Sequence, residues 1–132
     1  MAHLFNRNVL LGVSGGIAAY KSAELVRQLQ ARGASVRVVM TRGAREFITP
    51  LTLQALTRNP VLCDQYELIR HDQIPHIELA RRISALVVAP ATANVLAKFA
   101  RGIADDLLST FFLTVTAPII VVPSMNSRML LN

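Results

Sequence analysis

The chain has 132 residues, 52% hydrophobic and 17% charged, which suits one packed core and leaves no room for a second, so a single domain over residues 1–132 is expected and disorder is excluded. The longest apolar runs, 85–91 and 117–123, are too short to span a bilayer, and residues 1–8 lack the apolar core of a signal peptide, which points to a cytoplasmic protein with no membrane partner. The formal charge of +6 comes from basic residues scattered from Arg7 to Arg128 with no Trp among them, a pattern that argues against nucleic acid and for anionic small molecules.

Asn8-Val9-Leu10-Leu11-Gly12-Val13 reads as a strand buried on both faces. A turn, Ser14-Gly15-Gly16, leads into a helix whose stripe is Ala18, Ser22, Leu25, Val26 and Leu29, and Gly33 stands where that helix ends. Ser35 to Met40 is a second strand, which completes a strand–helix–strand unit with a right-handed crossover. Thr49-Pro50 caps and opens a short helix to about Thr57, stopped at Asn59-Pro60, and Val61-Leu62-Cys63 reads as a short strand. Residues 66–75 lack periodicity and read as an exposed loop.

A helix is expected from His76 to Arg82, and a strand over 86–89 ended by Pro90. A helix over 92–100 closed by Gly102 follows, and another starts at Asp105 or Asp106 and reaches Thr114. The last strand covers 119–122. Strands alternate with helices throughout, so the expected fold is α/β, a three-layer α/β/α sandwich around a parallel sheet, flavodoxin-like or Rossmann-like.

Ligands of such folds bind beyond the carboxyl ends of the strands. Four segments arrive there: Ser14-Gly15-Gly16-Ile17, Thr41-Arg42-Gly43, Pro90-Ala91-Thr92-Ala93-Asn94 and Pro123-Ser124-Met125-Asn126. Glycines let the backbone approach a phosphate closely, a helix N-terminus supplies free N–H groups, and Ser14 or Thr41 can add hydroxyl bonds. The same glycines could simply turn the chain tightly. The nucleoside-triphosphate loop is absent, since Lys21 does not follow a glycine, and two of three dinucleotide glycine positions fall on Ser14 and Ile17. No acidic residue ends the second strand, so a nicotinamide dinucleotide is disfavoured.

His76, opening its helix, is the acid–base candidate, and a surface or capping role is the plain alternative. Adjacent Asp105 and Asp106 diverge by roughly 100° on a helix, so they read as a cap and dipole partner rather than metal ligands. The lone cysteine, Cys63, excludes an internal disulfide and reads as a small core hydrophobe. No metal site is expected.

Five pieces in order carry a resemblance: Ser14-Gly15-Gly16-Ile17-Ala18-Ala19-Tyr20-Lys21, His76-Ile77-Glu78-Leu79-Ala80, Ala89-Pro90-Ala91-Thr92-Ala93-Asn94, Gly102-Ile103-Ala104-Asp105-Asp106-Leu107-Leu108 and Pro123-Ser124-Met125-Asn126-Ser127-Arg128-Met129. Over residues 8–126 the chain resembles the flavin-containing cysteine decarboxylases, in particular the phosphopantothenoylcysteine decarboxylase domain of coenzyme A biosynthesis. The resemblance implies FMN as cofactor, contacted by Gly15, Gly16, Ile17, Thr41, Gly43, Thr92, Ala93, Asn94, Val95 and Ser124. It implies His76 as catalytic base, and Asn126 and Met129 as substrate-binding residues for a phosphorylated cysteinyl carboxylate. In the family the flavin oxidises the cysteinyl thiol, carbon dioxide leaves, and the enethiol is reduced again. The family's sites lie between subunits of a homotrimer or homododecamer.

The chain departs from the pattern at Leu130, where tryptophan is usual, and at Ser124, where alanine is common. It stops at Asn132, ahead of the substrate flap that carries the family's catalytic cysteine, and Cys63 does not match that residue. An oxidative decarboxylase of peptidyl cysteine, a flavin prenyltransferase and a non-catalytic flavin-binding regulator are the alternatives.

Overall fold

The computed structural model describes residues 3–63 and 76–132, with backbone alone at 76 and 77. Four strands form one parallel sheet in the order β2-β1-β3-β4: β1 (Asn8–Val13), β2 (Ser35–Met40), β3 (Ala85–Ala91) and β4 (Ile119–Pro123). Among the described residues the helices are α1 (Ser22–Ala31), α2 (Pro50–Thr57), α3 (His76–Arg82), α4 (Ala93–Arg101), α5 (Leu107–Thr114) and α6 (Ser127–Leu131). The expected α/β sandwich is the observed one. The strand order reverses between β1 and β3, as in flavodoxin-like sheets.

Each face of the sheet has its own core. Val9, Leu11 and Val13 of β1 pack with Val36, Val38 and Met40 of β2 under Val26 of α1 and Leu53 of α2. Leu10 of β1 and Leu86 and Val88 of β3 pack on the other face with Leu79 of α3, Val95 of α4 and Phe111 of α5. Alternation along the strands assigns these residues to opposite faces, and burial on both explains why β1 reads as a continuous apolar run. At Gly12 a Cβ would sit 2.5 Å from Leu108 Cδ1, so its absence leaves room for that side chain of α5 on the sheet.

Local chemistry set most boundaries as expected. Thr49 accepts the Thr52 N–H ahead of Pro50, and Thr92 accepts the Val95 N–H. Asp106 and Ser109 form a reciprocal capping box at the start of α5. Gly33 (φ 96°) and Gly102 (φ 69°) take the left-handed conformation just past α1 and α4.

Three expectations need correction. The helix after Ser14-Gly15-Gly16 begins as a 3₁₀ segment, Ile17–Lys21, and becomes α-helical only at Ser22. Strand β3 does not end at Pro90 but continues to Ala91 across a cis Ala89–Pro90 bond. Its ladder to β4 shifts register between Val88 and Ala91, the kind of irregularity where a residue without an N–H fits. The stretch over 61–63 is no strand; only Leu62 bridges, to Val39. The loop expected over 66–75 lies outside the described residues. No helix among the described residues is long and apolar enough to cross a membrane.

Candidate functional site

All four strand ends open into one cleft of about 730 Å³ at the carboxyl edge of the sheet, over the β1/β3 reversal. Gly15, Gly16, Ile17, Thr41, Gly43, Thr92, Ala93, Asn94, Val95, Ser124, Asn126 and Met129 line it, so the structure brings together twelve residues dispersed over the sequence. Ser14 is the exception. It is fully buried, and its hydroxyl donates to the Pro90 carbonyl and accepts the Thr92 N–H at 3.0 Å. Ser14 therefore holds the ends of β1 and β3 together and shapes the cradle from beneath instead of lining it.

The first loop needs its glycine for a close approach. A Cβ on Gly15 would stand 2.7 Å from the Gly43 carbonyl carbon, against backbone that cannot swing away. The β1 and β2 loops thus touch main chain to main chain, as a narrow anion cradle requires. Thr41 braces the second loop by accepting the Ala44 N–H at 3.2 Å. On the far wall Asn126 caps α6, its Oδ1 accepting the Met129 N–H at 2.9 Å, which leaves the exposed amide Nδ2 for a ligand.

Arg42, Lys98, Asp106 and Met125 also line the cleft, although sequence reasoning did not single them out as site residues. Lys98 Nζ lies 2.9 Å from Asp105 Oδ1 and 3.6 Å from Asp106 Oδ2, and its side chain is only 20% exposed. Hydrogen bonding to Asp105 raises the Lys98 ammonium above its ordinary value against the opposing effect of burial, and the same bond lowers the Asp105 carboxyl. Asp106 divides its carboxylate: Oδ1 caps α5 through Ser109, and Oδ2 faces Lys98. A signal for Lys98 was present, since it follows Asn94 by four residues and shares its helix face.

A family model described as Flavoprotein matches residues 2–132. The chain belongs to the Flavoprotein family. It is 48% identical over 132 residues to the coenzyme A biosynthesis bifunctional protein CoaBC of Vibrio cholerae, covering 100% of this chain and 33% of that protein. The chain spans about a third of the length of the curated relatives it matches. Among solved structures, the FMN-dependent cysteine decarboxylase SpaF superposes with a TM-score of 0.85 at 32% identity, over 96% of this chain and 73% of that one. A PPC decarboxylase variant complexed with pantothenoylaminoethenethiol gives a TM-score of 0.80 at 32% identity, over 96% and 71%.

Within this Flavoprotein fold His76 is the first residue of α3, which descends to the start of β3. Cys63 is half-buried against the α1/α2 face of the core, packed as a small hydrophobe.

Proposed function

We propose that this chain binds FMN in the strand-end cleft and decarboxylates 4′-phosphopantothenoylcysteine to 4′-phosphopantetheine. One observation carries the reading: Gly15 against Gly43, the Thr92 helix cap and the Asn126–Met129 turn converge on a single cleft over the β1/β3 reversal. Kinship to a coenzyme A biosynthesis protein and to cysteine decarboxylases, one of them FMN-dependent, supports the substrate and cofactor.

The residues present fit a flavin mononucleotide. A phosphate needs main-chain N–H groups with no Cβ in the way, and Gly15, Gly16 and Gly43 bring side-chain-free main chain to the cleft. Gly15, Gly16, Ile17, Thr41 and Gly43 would hold the phosphate end, and Thr92, Ala93, Asn94, Val95 and Ser124 the remainder. When bound, the flavin supplies reversible two-electron chemistry beside the substrate thiol.

The chain's own groups serve the substrate's thiol and carboxylate. His76 accepts the thiol proton on its imidazole, and a helix N-terminus favours the neutral, proton-accepting form. Asn126 Nδ2 donates to the substrate carboxylate without giving it a proton, so the group stays ready to leave as carbon dioxide. Met129, half-exposed beside it, offers an adaptable apolar contact. The net charge of +6 favours a phosphorylated, carboxylated substrate, and the reaction is cytoplasmic. The protein works as a homo-oligomer, trimer or dodecamer, with sites between subunits. Exposed Ile17, Tyr20, Ile120 and Val122 support an apolar contact surface.

Purified protein should be yellow and should release carbon dioxide from phosphopantothenoylcysteine. His76→Asn is expected to bind FMN with unchanged affinity and to lose carbon dioxide release by at least about a hundredfold, the ordinary scale for an acid–base group. Normal turnover by that variant removes His76 from the reaction. A colourless protein that takes up no added FMN overturns the reading as a whole.

A further inference from the structure

Two basic side chains line the cleft, and their surroundings are opposite in sign. Arg42 follows β2, and Lys98 rides on α4, the helix after β3. In the order β2-β1-β3-β4 these two strand ends are two spacings apart, roughly 10 Å. Arg42 is exposed and makes no ion pair among the described residues. It adjoins Gly43, where the main chains of the first two loops meet.

Lys98 is the reverse case. One N–H reaches Asp105 at 2.9 Å and the Asp106 carboxylate stands 3.6 Å away, so one positive charge is set against two negative ones. A phosphate dianion brought to that wall would face two carboxylates. At the Arg42 end it would meet a guanidinium that no carboxylate among the described residues pairs, and main-chain N–H groups besides.

We propose that this polarity makes the cleft take its ligand in one orientation, with Arg42 a phosphate-binding residue and Lys98 a hydrogen-bond donor to the ligand's uncharged part. The aspartates hold the Lys98 ammonium at the wall and cancel its attraction for the phosphate. An N–H not engaged by Asp105 is left for a carbonyl or ring nitrogen. The inference rests on the flavin-binding reading above and names two residues that reading does not use.

The test is a comparison of two ligands that differ only by a phosphate. FMN and riboflavin are titrated into the full chain and its variants by fluorescence quenching, and thermal melts confirm folding. Arg42→Gln should weaken FMN by about tenfold and leave riboflavin within about twofold, as expected for loss of one charge-assisted bond. Lys98→Met should weaken both ligands by a similar factor, about tenfold, so that their ratio is preserved, and Lys98→Arg should restore most of the loss. Inorganic phosphate should compete with FMN on the wild-type protein and on both Lys98 variants but poorly on Arg42→Gln, a readout that survives even if Lys98→Met fails to fold.

An unchanged FMN-to-riboflavin ratio in Arg42→Gln overturns the proposal, as does a Lys98→Met loss confined to FMN or absent altogether. Those results leave the flavoprotein reading intact, because the wild-type chain still binds. A wild-type chain that binds neither ligand overturns the flavin reading itself, and the orientation with it.

Discussion

At the scale of single residues, the cleft depends on what is missing from Gly15. Its position at the end of β1 would place any Cβ within 2.7–2.9 Å of three Gly43 main-chain atoms. Relief would require the two loops to separate, and those loops form part of the cleft wall. Gly16 is different: a Cβ there meets only Thr92 Cγ2, at 3.5 Å, which is ordinary contact. Gly15→Ala is therefore expected to weaken FMN binding by about tenfold or more, while Gly16→Ala stays within about threefold, since a 1.4 kcal/mol loss is a factor of ten. Parallel FMN titrations of the two variants check this, and equal affinities would show that the loops yield easily. Adjacent glycines that look interchangeable in sequence are separated only by a contact across 28 positions of chain.

At the scale of elements, the Lys98–Asp105 bond ties α4 to the turn that starts α5, and it makes stability depend on pH at both extremes. Asp105 is lowered from its ordinary 3.8 by the Lys98 hydrogen bond, so its contribution is complete above 3.8 and is lost as pH falls through the lowered value. Lys98 is raised from 10.5 by the same bond, so its contribution is complete below 10.5 and is lost as pH rises through the raised value. Asp105→Asn should therefore lower Tm by a nearly constant, small amount between those limits, and the difference from wild type should shrink in more acidic solution. Melts of both proteins across the acid range measure it. A gap that widens towards acid contradicts the assignment, and added salt should narrow it because Asp105 is 57% exposed.

The elements also show what was legible in the sequence. Capping is local chemistry, so Thr49-Pro50, Thr92 and Asp106 announced their helices from a few neighbouring residues. Ten of the twelve lining residues could be gathered because an alternating strand–helix pattern sends every strand end to the same edge, and Val95 and Met129 came only with the family resemblance. What could not be read locally involves partners far along the chain. Pro90 looks like a strand breaker, yet β3 passes through it because its carbonyl is engaged by Ser14, 76 residues away. The same long-range bond removes Ser14 from the lining. Lys98 drew no reading from the sequence, and the turn to α5 is what returns two aspartates to it.

At the scale of the whole molecule, the two faces of the sheet are covered unequally. Helices α1 and α2 lie over β1 and β2, and on that face Val87 of β3 is only partly buried. Beside it runs β4, the edge strand, where Ile120 is 53% exposed and Val122 47%. Val122 and Pro123 join Ala18, Leu25 and Pro90 around an open groove of about 380 Å³, and Ile17 and Tyr20 stand exposed on the neighbouring 3₁₀ segment. Alternate residues of a strand share a face, so Ile120 and Val122 present one apolar strip there. A bare apolar strip on an edge strand invites association, and a homo-oligomer would bury it. Ile120 does not line the cleft, so its replacement separates assembly from ligand contact. Ile120→Asp is expected to shift the protein to monomer in sedimentation while the monomer keeps its fold by circular dichroism. Wild-type Tm should rise with protein concentration, and the variant's should not, because subunit association stabilises by mass action. If sites lie between subunits, the variant should also lose FMN affinity in proportion to its monomer fraction, although the substitution touches no lining residue. A wild-type chain that sediments as monomer at every concentration would sink the oligomer proposal, and FMN bound equally well by monomer and oligomer would confine the whole site to one chain.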